Sequence, residues 1–165
     1  MKKIAIVMGS ASDFPIVEKT INILHEFSVP FEVRVLSAHR CPEDAKEFAS
    51  SAKESGFSVL IAAAGMAAHL AGSLAANTTL PVIGIPCRAA GSDGMDALLS
   101  TVMMPPGIPV ATVAIDGAKN AAFLALQILA LNDEELASKL VLKREEEREA
   151  LLQKDQEFQS KYSEN

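Results

Sequence analysis

Short, almost uninterrupted apolar runs alternate along this chain with segments in which apolar residues recur every three or four positions. Apolar runs without alternation are typical of parallel strands covered on both faces, and the wider spacing is typical of amphipathic helices. The predicted strands are Lys3–Met8, Phe31–Leu36, Ser58–Ala63, Pro81–Ile85 and Pro109–Val113. The predicted helices are Phe14–Phe27, Pro42–Ser55, Ala67–Ala76, Gly94–Met103 and Ala118–Leu131.

This regular alternation predicts an α/β fold, a three-layer αβα sandwich around a parallel five-stranded sheet. The common solution for five strands is the flavodoxin-like order 2-1-3-4-5. We divide the chain into a flavodoxin-like catalytic domain, residues 1–132, and a C-terminal helical extension of the same domain, residues 133–165. In such sheets ligands bind at the carboxyl ends of the strands where the order reverses, so the loops after the first three strands should line one crevice.

The C-terminal extension differs in composition from the rest of the chain. Residues 133–165 contain ten acidic and six basic residues, a charge of −4 out of the net −6. The segment is prone to form a helix, but its apolar residues are too sparse for a full core stripe. Two interpretations stay open: a solvated helix with a frayed end, or a helix that packs across a subunit interface.

Composition excludes several classes of function. Hydrophobic residues make up 49% of the chain, enough for a large core. No basic stripe indicates nucleic acid, and no apolar stretch approaches the roughly 18 to 20 residues of a membrane span. Cys41 and Cys87 form no CxxC pattern, so we expect two reduced thiols and a cytoplasmic location.

The loop after the second predicted strand has the sequence Ser37-Ala38-His39-Arg40. Histidine exchanges protons near neutral pH, and arginine offers a rigid fork of donors for phosphate or carboxylate. Pro42 and the acids that follow it read as the start of a helix. A lone loop histidine is also commonly a plain surface residue, so the spacing leaves a catalytic and a surface role for His39 open.

The loop after the first strand, Gly9-Ser10-Ala11-Ser12-Asp13, combines hydroxyl groups with the free N–H groups of a helix start. That combination suits an anion. Asp13 is interpreted as an N-cap of the following helix, as an acceptor for a sugar hydroxyl, or as a carboxylate that orients a histidine.

The loop after the third strand lies within Ala62–Gly72 and consists almost entirely of small residues. Its backbone can approach a flat ligand or another subunit. Met66 is interpreted as filling a packing gap, and His69 as a structural histidine or a site residue. The later loop from Pro86 to Gly94 is rich in glycine and is a candidate lid for the crevice.

Several common signatures are missing. The chain has no Walker A pattern, no GxGxxG fingerprint and no nucleophile elbow. His39 and His69 have no cysteine or acid at metal-ligand spacing. We therefore expect a site for a small phosphorylated ligand that requires neither a metal nor an organic cofactor.

Together these motifs resemble the catalytic subunit family of phosphoribosylaminoimidazole carboxylase, enzymes of purine biosynthesis. The resemblance covers nearly all of residues 3–131. The blocks that carry it are Met8–Asp13, Ser37–Pro42, Ala67–Gly72, Leu80–Pro86, Met104–Val113 and Asn120-Ala121.

The resemblance implies a cofactor-free isomerase that moves a carboxyl group within N5-carboxyaminoimidazole ribonucleotide to give the 4-carboxy isomer. It implies His39 as the general acid and base, Arg40 at the phosphate, and a homo-octamer with sites built from several subunits. Arginine after His39 resembles the mutase branch, since the carboxylase branch tends to have lysine there. The implied substrate-binding residues are Ser10, Ser12, Asp13, Ser37, Arg40, Gly65, Ala68, His69 and Leu70.

The chain departs from the family pattern at a few positions. Met66 stands where glycine is common, Ala71 where proline is usual and Cys41 where threonine is usual, and the segment Ile115–Lys119 is shortened. Two alternatives to the isomerase are direct carboxylation of aminoimidazole ribonucleotide with carbon dioxide, and a flavodoxin-like module that binds phosphate or flavin without turnover.

Overall fold

The computed structural model of the chain describes residues 3–162. Its backbone contacts divide the chain into two compact units, Met1–Leu129 and Ala130–Asn165. The division at residues 132 and 133 stays a prediction, because compactness alone does not delimit a catalytic domain.

The first unit contains a five-stranded sheet in which every neighbouring pair of strands is parallel. The strands are β1 (Lys3–Met8), β2 (Phe31–Val35), β3 (Phe57–Gly65), β4 (Val82–Cys87) and β5 (Ala111–Thr112). Their order is β2-β1-β3-β4-β5, which confirms the flavodoxin-like order expected from the alternation of strand and helix. The order reverses at β1, so the carboxyl ends of β2, β1 and β3 are neighbours.

Five α-helices, the last of which ends one residue beyond this unit, cover both faces of the sheet, as predicted. They are α1 (Phe14–Glu26), α2 (Pro42–Ser51), α3 (Leu70–Ala75), α4 (Met95–Val102) and α5 (Ala118–Ala130). Proline occupies the first turn of α1 and of α2, where its missing N–H has no partner to lose.

The central strands explain why the apolar runs do not alternate. Residues 4–8 of β1, all of β4 and most of β3 are buried. On one face α2 and α3 pack against them through Phe48, Leu70 and Leu74. Because both faces of each central strand are covered, polar residues at every second position would be buried without partners.

Several predicted boundaries were wrong. The largest difference at one end is in α2, which ends at Ser51 rather than Ser55. The fifth strand has two residues rather than five, because it is an edge strand whose predicted start, Pro109, has no N–H to donate. Helix α3 starts at Leu70 rather than Ala67. Met66 has a φ of +59°, and this left-handed residue turns the chain before a helix can begin.

The second unit is dominated by one helix, α6 (Glu134–Tyr162), of 29 residues. The Asp133 carboxylate caps its start by accepting a hydrogen bond from the Leu136 N–H at 3.0 Å. Ion pairs one turn apart join Lys139 to Glu135 and Arg148 to Glu145. This confirms the C-terminal helix. The choice between a solvated helix with a frayed end and a helix at a subunit interface stays a prediction.

None of the helices within residues 3–162 is both long enough and apolar enough to cross a membrane.

Candidate active site

The loops after β1, β2 and β3 leave the sheet at neighbouring positions on its carboxyl edge. They are called here the first loop (residues 9–13), the second loop (residues 37–41) and the third loop (residues 65–69, counted from Gly65, the last residue of β3). The predicted site residues all belong to these loops, except Leu70, the first residue of α3. The topology therefore brings the sequence candidates to one edge of the sheet.

The second loop is a tight turn closed on itself. The Cys41 N–H donates to the Ser37 carbonyl at 2.9 Å, and the Ser37 N–H donates to Cys41 Sγ at 3.1 Å. The Ser37 hydroxyl accepts a hydrogen bond from the Arg40 N–H at 3.2 Å. With the ends joined in this way, His39 and Arg40 stand at the tip of the turn, and both are exposed.

Arg40 connects the second loop to the first. Its Nη2 donates to the carbonyl of Gly9 at 2.8 Å. A guanidinium carries five N–H donors, so this bond fixes the side chain beside Ser10 and leaves donors for a ligand. The position fits the predicted role as an anion clamp.

His39 and His69 come together across the second and third loops. Their ring centroids are 5.4 Å apart and their planes differ by 18°, a stacked arrangement. His69 stands at the N-cap of α3, but its side chain makes no capping hydrogen bond. Within residues 3–162 no hydrogen bond engages either imidazole, which favours a site role over the structural interpretation of His69.

The first loop includes a single 3₁₀ turn, Ala11–Asp13, that the periodicity did not predict. Inside it the Ser12 hydroxyl donates to Ser10 Oγ at 2.8 Å. Asp13 occupies the N-cap of α1, but its side chain makes no capping hydrogen bond. Burial raises the pKa of the Asp13 carboxyl, and a hydrogen bond from the backbone of Ser10 offsets only part of that shift.

The capping interpretation of Asp13 is therefore wrong. What remains is a half-buried carboxylate with little stabilisation from its surroundings. Such a group is a candidate for binding a donor from a ligand.

The third loop contributes backbone more than side chains. Ala68 and Leu70 are each 2% exposed, so their side chains belong to the core and only their backbone could touch a substrate. Met66 is 66% exposed and does not fill a packing gap, which corrects the sequence interpretation. Gly65 ends β3 and pairs with Cys87 of β4.

Cys87 was not predicted to lie near the site. It is fully buried, and its pKa is raised to about 12 by burial first and then by the negative charges of Asp13 and Asp116. No pattern in the sequence predicted this arrangement, because Asp13, Cys87 and Asp116 are far apart along the chain. A buried thiol of this kind is protonated at neutral pH and unreactive.

The fold and these loops define a class: doubly wound α/β proteins with a ligand crevice at the carboxyl edge of the sheet. The sequence defines the family within that class. The chain belongs to the AIR carboxylase family, whose sequence model matches residues 3–150.

Relatives of the chain are found in distant organisms. It is 54% identical over 159 residues to the N5-carboxyaminoimidazole ribonucleotide mutase of Methanocaldococcus jannaschii, covering 96% of this chain and 99% of the relative. It is 49% identical over 146 residues to the chloroplastic phosphoribosylaminoimidazole carboxylase of Vigna aconitifolia, covering 88% of this chain but only 26% of that protein. The crystal structure of Treponema denticola PurE superposes with a TM-score of 0.81 at 29% identity and covers 98% of this chain and 99% of that one.

Proposed function

We propose that this chain is an isomerase of purine biosynthesis that converts N5-carboxyaminoimidazole ribonucleotide to 4-carboxy-5-aminoimidazole ribonucleotide. The observation that carries the proposal is the meeting of His39, His69 and Arg40 at the crevice. The mutase relative, which matches this chain over almost its whole length, supports the same reaction.

His39 supplies the acid and base chemistry in this proposal. As the carbamate N–C bond breaks, carbon dioxide departs and protonated His39 gives its proton to the nitrogen. C4 of the ring then attacks the carbon dioxide, and neutral His39 removes the proton from C4 and is restored to its starting state. One histidine serves both steps because an imidazole can both donate and accept a proton at neutral pH.

The first two loops are proposed to hold the ribonucleotide. Arg40 binds the phosphate next to the hydroxyls of Ser10 and Ser12, and a ribose hydroxyl donates to the Asp13 carboxylate. A ligand donor would offset the cost of burying that carboxylate, which is otherwise met only in part by Ser10.

The test is an assay of purified protein with N5-carboxyaminoimidazole ribonucleotide, in which the 4-carboxy product is measured. We expect His39→Asn to abolish turnover while substrate binding survives. His25→Asn is the matched control, because His25 is an exposed residue of α1 that packs edge-on against Phe31. Turnover retained in His39→Asn would reject the acid–base role.

Direct carboxylation of aminoimidazole ribonucleotide is the second candidate, and it is supported by the similarity to the carboxylase of Vigna aconitifolia. The same assay separates the two reactions when both substrates are offered with and without bicarbonate. A mutase uses the N5-carboxylated substrate without bicarbonate, whereas a carboxylase needs the unmodified ribonucleotide and carbon dioxide. Yellow purified protein without activity would instead favour the binding module, which membership in an enzyme family argues against.

We also propose that the chain forms a homo-octamer. An exposed apolar surface on and beside α4, formed by Met95, Leu99, Val102 and Met103, supports association with further copies. Light scattering should give an octamer for the wild type and smaller species for Leu99→Glu, with Asn22→Glu on α1 as the control. A monomeric wild type would reject this proposal; the cytoplasmic location stays a prediction.

A further inference from the structure

The short segment between β5 and α5, residues 113–117, reaches back to the end of β4. Asp116 has a φ of +56°, and its N–H donates to the Pro86 carbonyl at 2.9 Å. Its Oδ1 accepts from the Arg88 N–H at 2.9 Å, and its Oδ2 lies 3.7 Å from Arg88 Nε. Asp116 therefore holds the backbone on both sides of Cys87.

Ile115, the residue before Asp116, contacts the other end of the loop that follows β4, residues 88–94. Gly94 has a φ of +91°, and a Cβ added there would overlap the Ile115 side chain. Ile115 thus packs directly on the Gly94 backbone. Two consecutive residues of one short segment fix both ends of this loop.

The 88–94 loop in turn borders the third loop of the site. A Cβ added at Gly65 would lie 3.0 Å from the Cys87 carbonyl and 3.5 Å from the Ala89 Cβ. The start of the 88–94 loop therefore stands directly beside the third loop. Its position is set by Asp116, which lies outside the loops predicted to bind substrate.

We infer that Asp116 is a positioning residue whose contacts keep the 88–94 loop against the third loop, so that carbon dioxide formed in the site recombines before it escapes. The inference rests on the proposed function. Carbon dioxide is small and uncharged, so the site holds it by closed walls rather than by ion pairs. Without the Asp116 carboxylate, the 88–94 loop moves away from the third loop more often. Each such opening lets carbon dioxide leave, so that aminoimidazole ribonucleotide is released in place of the 4-carboxy product.

The readout is the ratio of aminoimidazole ribonucleotide to 4-carboxy product formed from N5-carboxyaminoimidazole ribonucleotide, corrected with an enzyme-free reaction. This ratio is a property of each turnover, so a smaller folded fraction does not change it. Asp116→Gly removes the carboxylate and keeps a backbone that tolerates positive φ. Asp116→Asn keeps both an acceptor and that tolerance.

We expect Asp116→Gly to raise the ratio about tenfold, in line with the sensitivity of catalysis to misplaced groups, and Asp116→Asn to stay near the wild type. Asp133→Gly is the matched control, because it removes another carboxylate that accepts a backbone N–H at 3.0 Å, in the second unit. Ile115→Ala loosens the other end of the loop and should raise the ratio independently.

An unchanged ratio in Asp116→Gly, or in Ile115→Ala if the first variant does not fold, would overturn the inference. Failure of the proposed function is a different result, because the wild type would then form no 4-carboxy product from the N5-carboxylated substrate.

Discussion

Replacing Asp13 by asparagine should make the protein more stable and less active. The Asp13 carboxylate is half-buried, its pKa is raised by burial, and it caps no helix. Asparagine has the same shape and can still accept a hydrogen bond from the Ser10 backbone, but it has no charge to desolvate. The substitution therefore removes the unfavourable free energy of desolvating the Asp13 carboxylate in the folded state.

The expected gain in the free energy of unfolding is about 0.5–1 kcal/mol, the low end for a stabilising substitution, because water still screens a half-exposed carboxylate. For a chain of this length that corresponds to a rise in Tm of about 2 °C. Activity should move the other way. Loss of a hydrogen bond to a charged acceptor predicts a fall in kcat/KM of about tenfold to a hundredfold.

The pH dependence identifies the buried charge as the cause. A raised pKa means that the folded state takes up the proton more readily than the unfolded state. Wild-type stability is therefore reduced above the raised pKa, and the reduction disappears as the pH falls toward the ordinary value of 3.8. The advantage of Asp13→Asn should be present at pH 7 and absent below pH 3.8.

The assay is thermal unfolding at one protein concentration, since oligomerisation makes Tm depend on concentration. Asp155→Asn is the control, because Asp155 is an exposed residue of α6 bonded to Gln159. A variant less stable than the wild type at pH 7, or a gain of equal size at both pH values, would refute the reasoning.

Three further outcomes are expected. Gly84→Ala should cost about 2 kcal/mol of stability in chemical denaturation, because its Cβ would overlap the Thr101 methyl group, and Thr101→Ser, which removes that methyl, should recover part of the loss. Arg40→Lys should raise KM about tenfold with little change in kcat, since lysine lacks the fork that meets both Gly9 and a phosphate; an unchanged KM would reject the phosphate role. A Cys41→Ala variant should show no thiol titratable at pH 8 until it is unfolded, because burial raises the pKa of Cys87 to about 12.

The strand order followed from the sequence because each central strand is covered on both faces, which leaves a continuous apolar run and alternates with helices. Once the order was known, the three loops had to meet at one edge. The positions of His39, Arg40 and Ser10 in the same site are a consequence of that topology rather than of any single motif.

Other features depend on contacts that no local pattern contains. The stacking of His39 on His69 depends on the relative heights of two loops. The left-handed turn at Met66, which delays α3, is adopted by a residue with no sequence preference for it. The hydrogen bond from the Arg88 N–H to the Asp116 carboxylate joins residues that are 28 positions apart in the sequence.

The site has two chemically different parts, so substitutions in one part should change KM and substitutions in the other should change the product ratio. The hydroxyl groups and Arg40 of the site belong to the first two loops. Apart from His69, the third loop presents mainly backbone, alanine and glycine, and so does the 88–94 loop directly after Arg88, whose side chain is paired with Asp116. The proposed substrate has the same division, with an anionic ribonucleotide and a small neutral fragment. Asp13→Asn should therefore change KM and leave the product ratio unchanged, and Asp116→Gly should do the reverse. Asp13 and Asp116 share no hydrogen-bond partner, and Cys87, whose pKa both charges raise, takes no part in the proposed reaction. The double variant should therefore show both effects at their single-variant size.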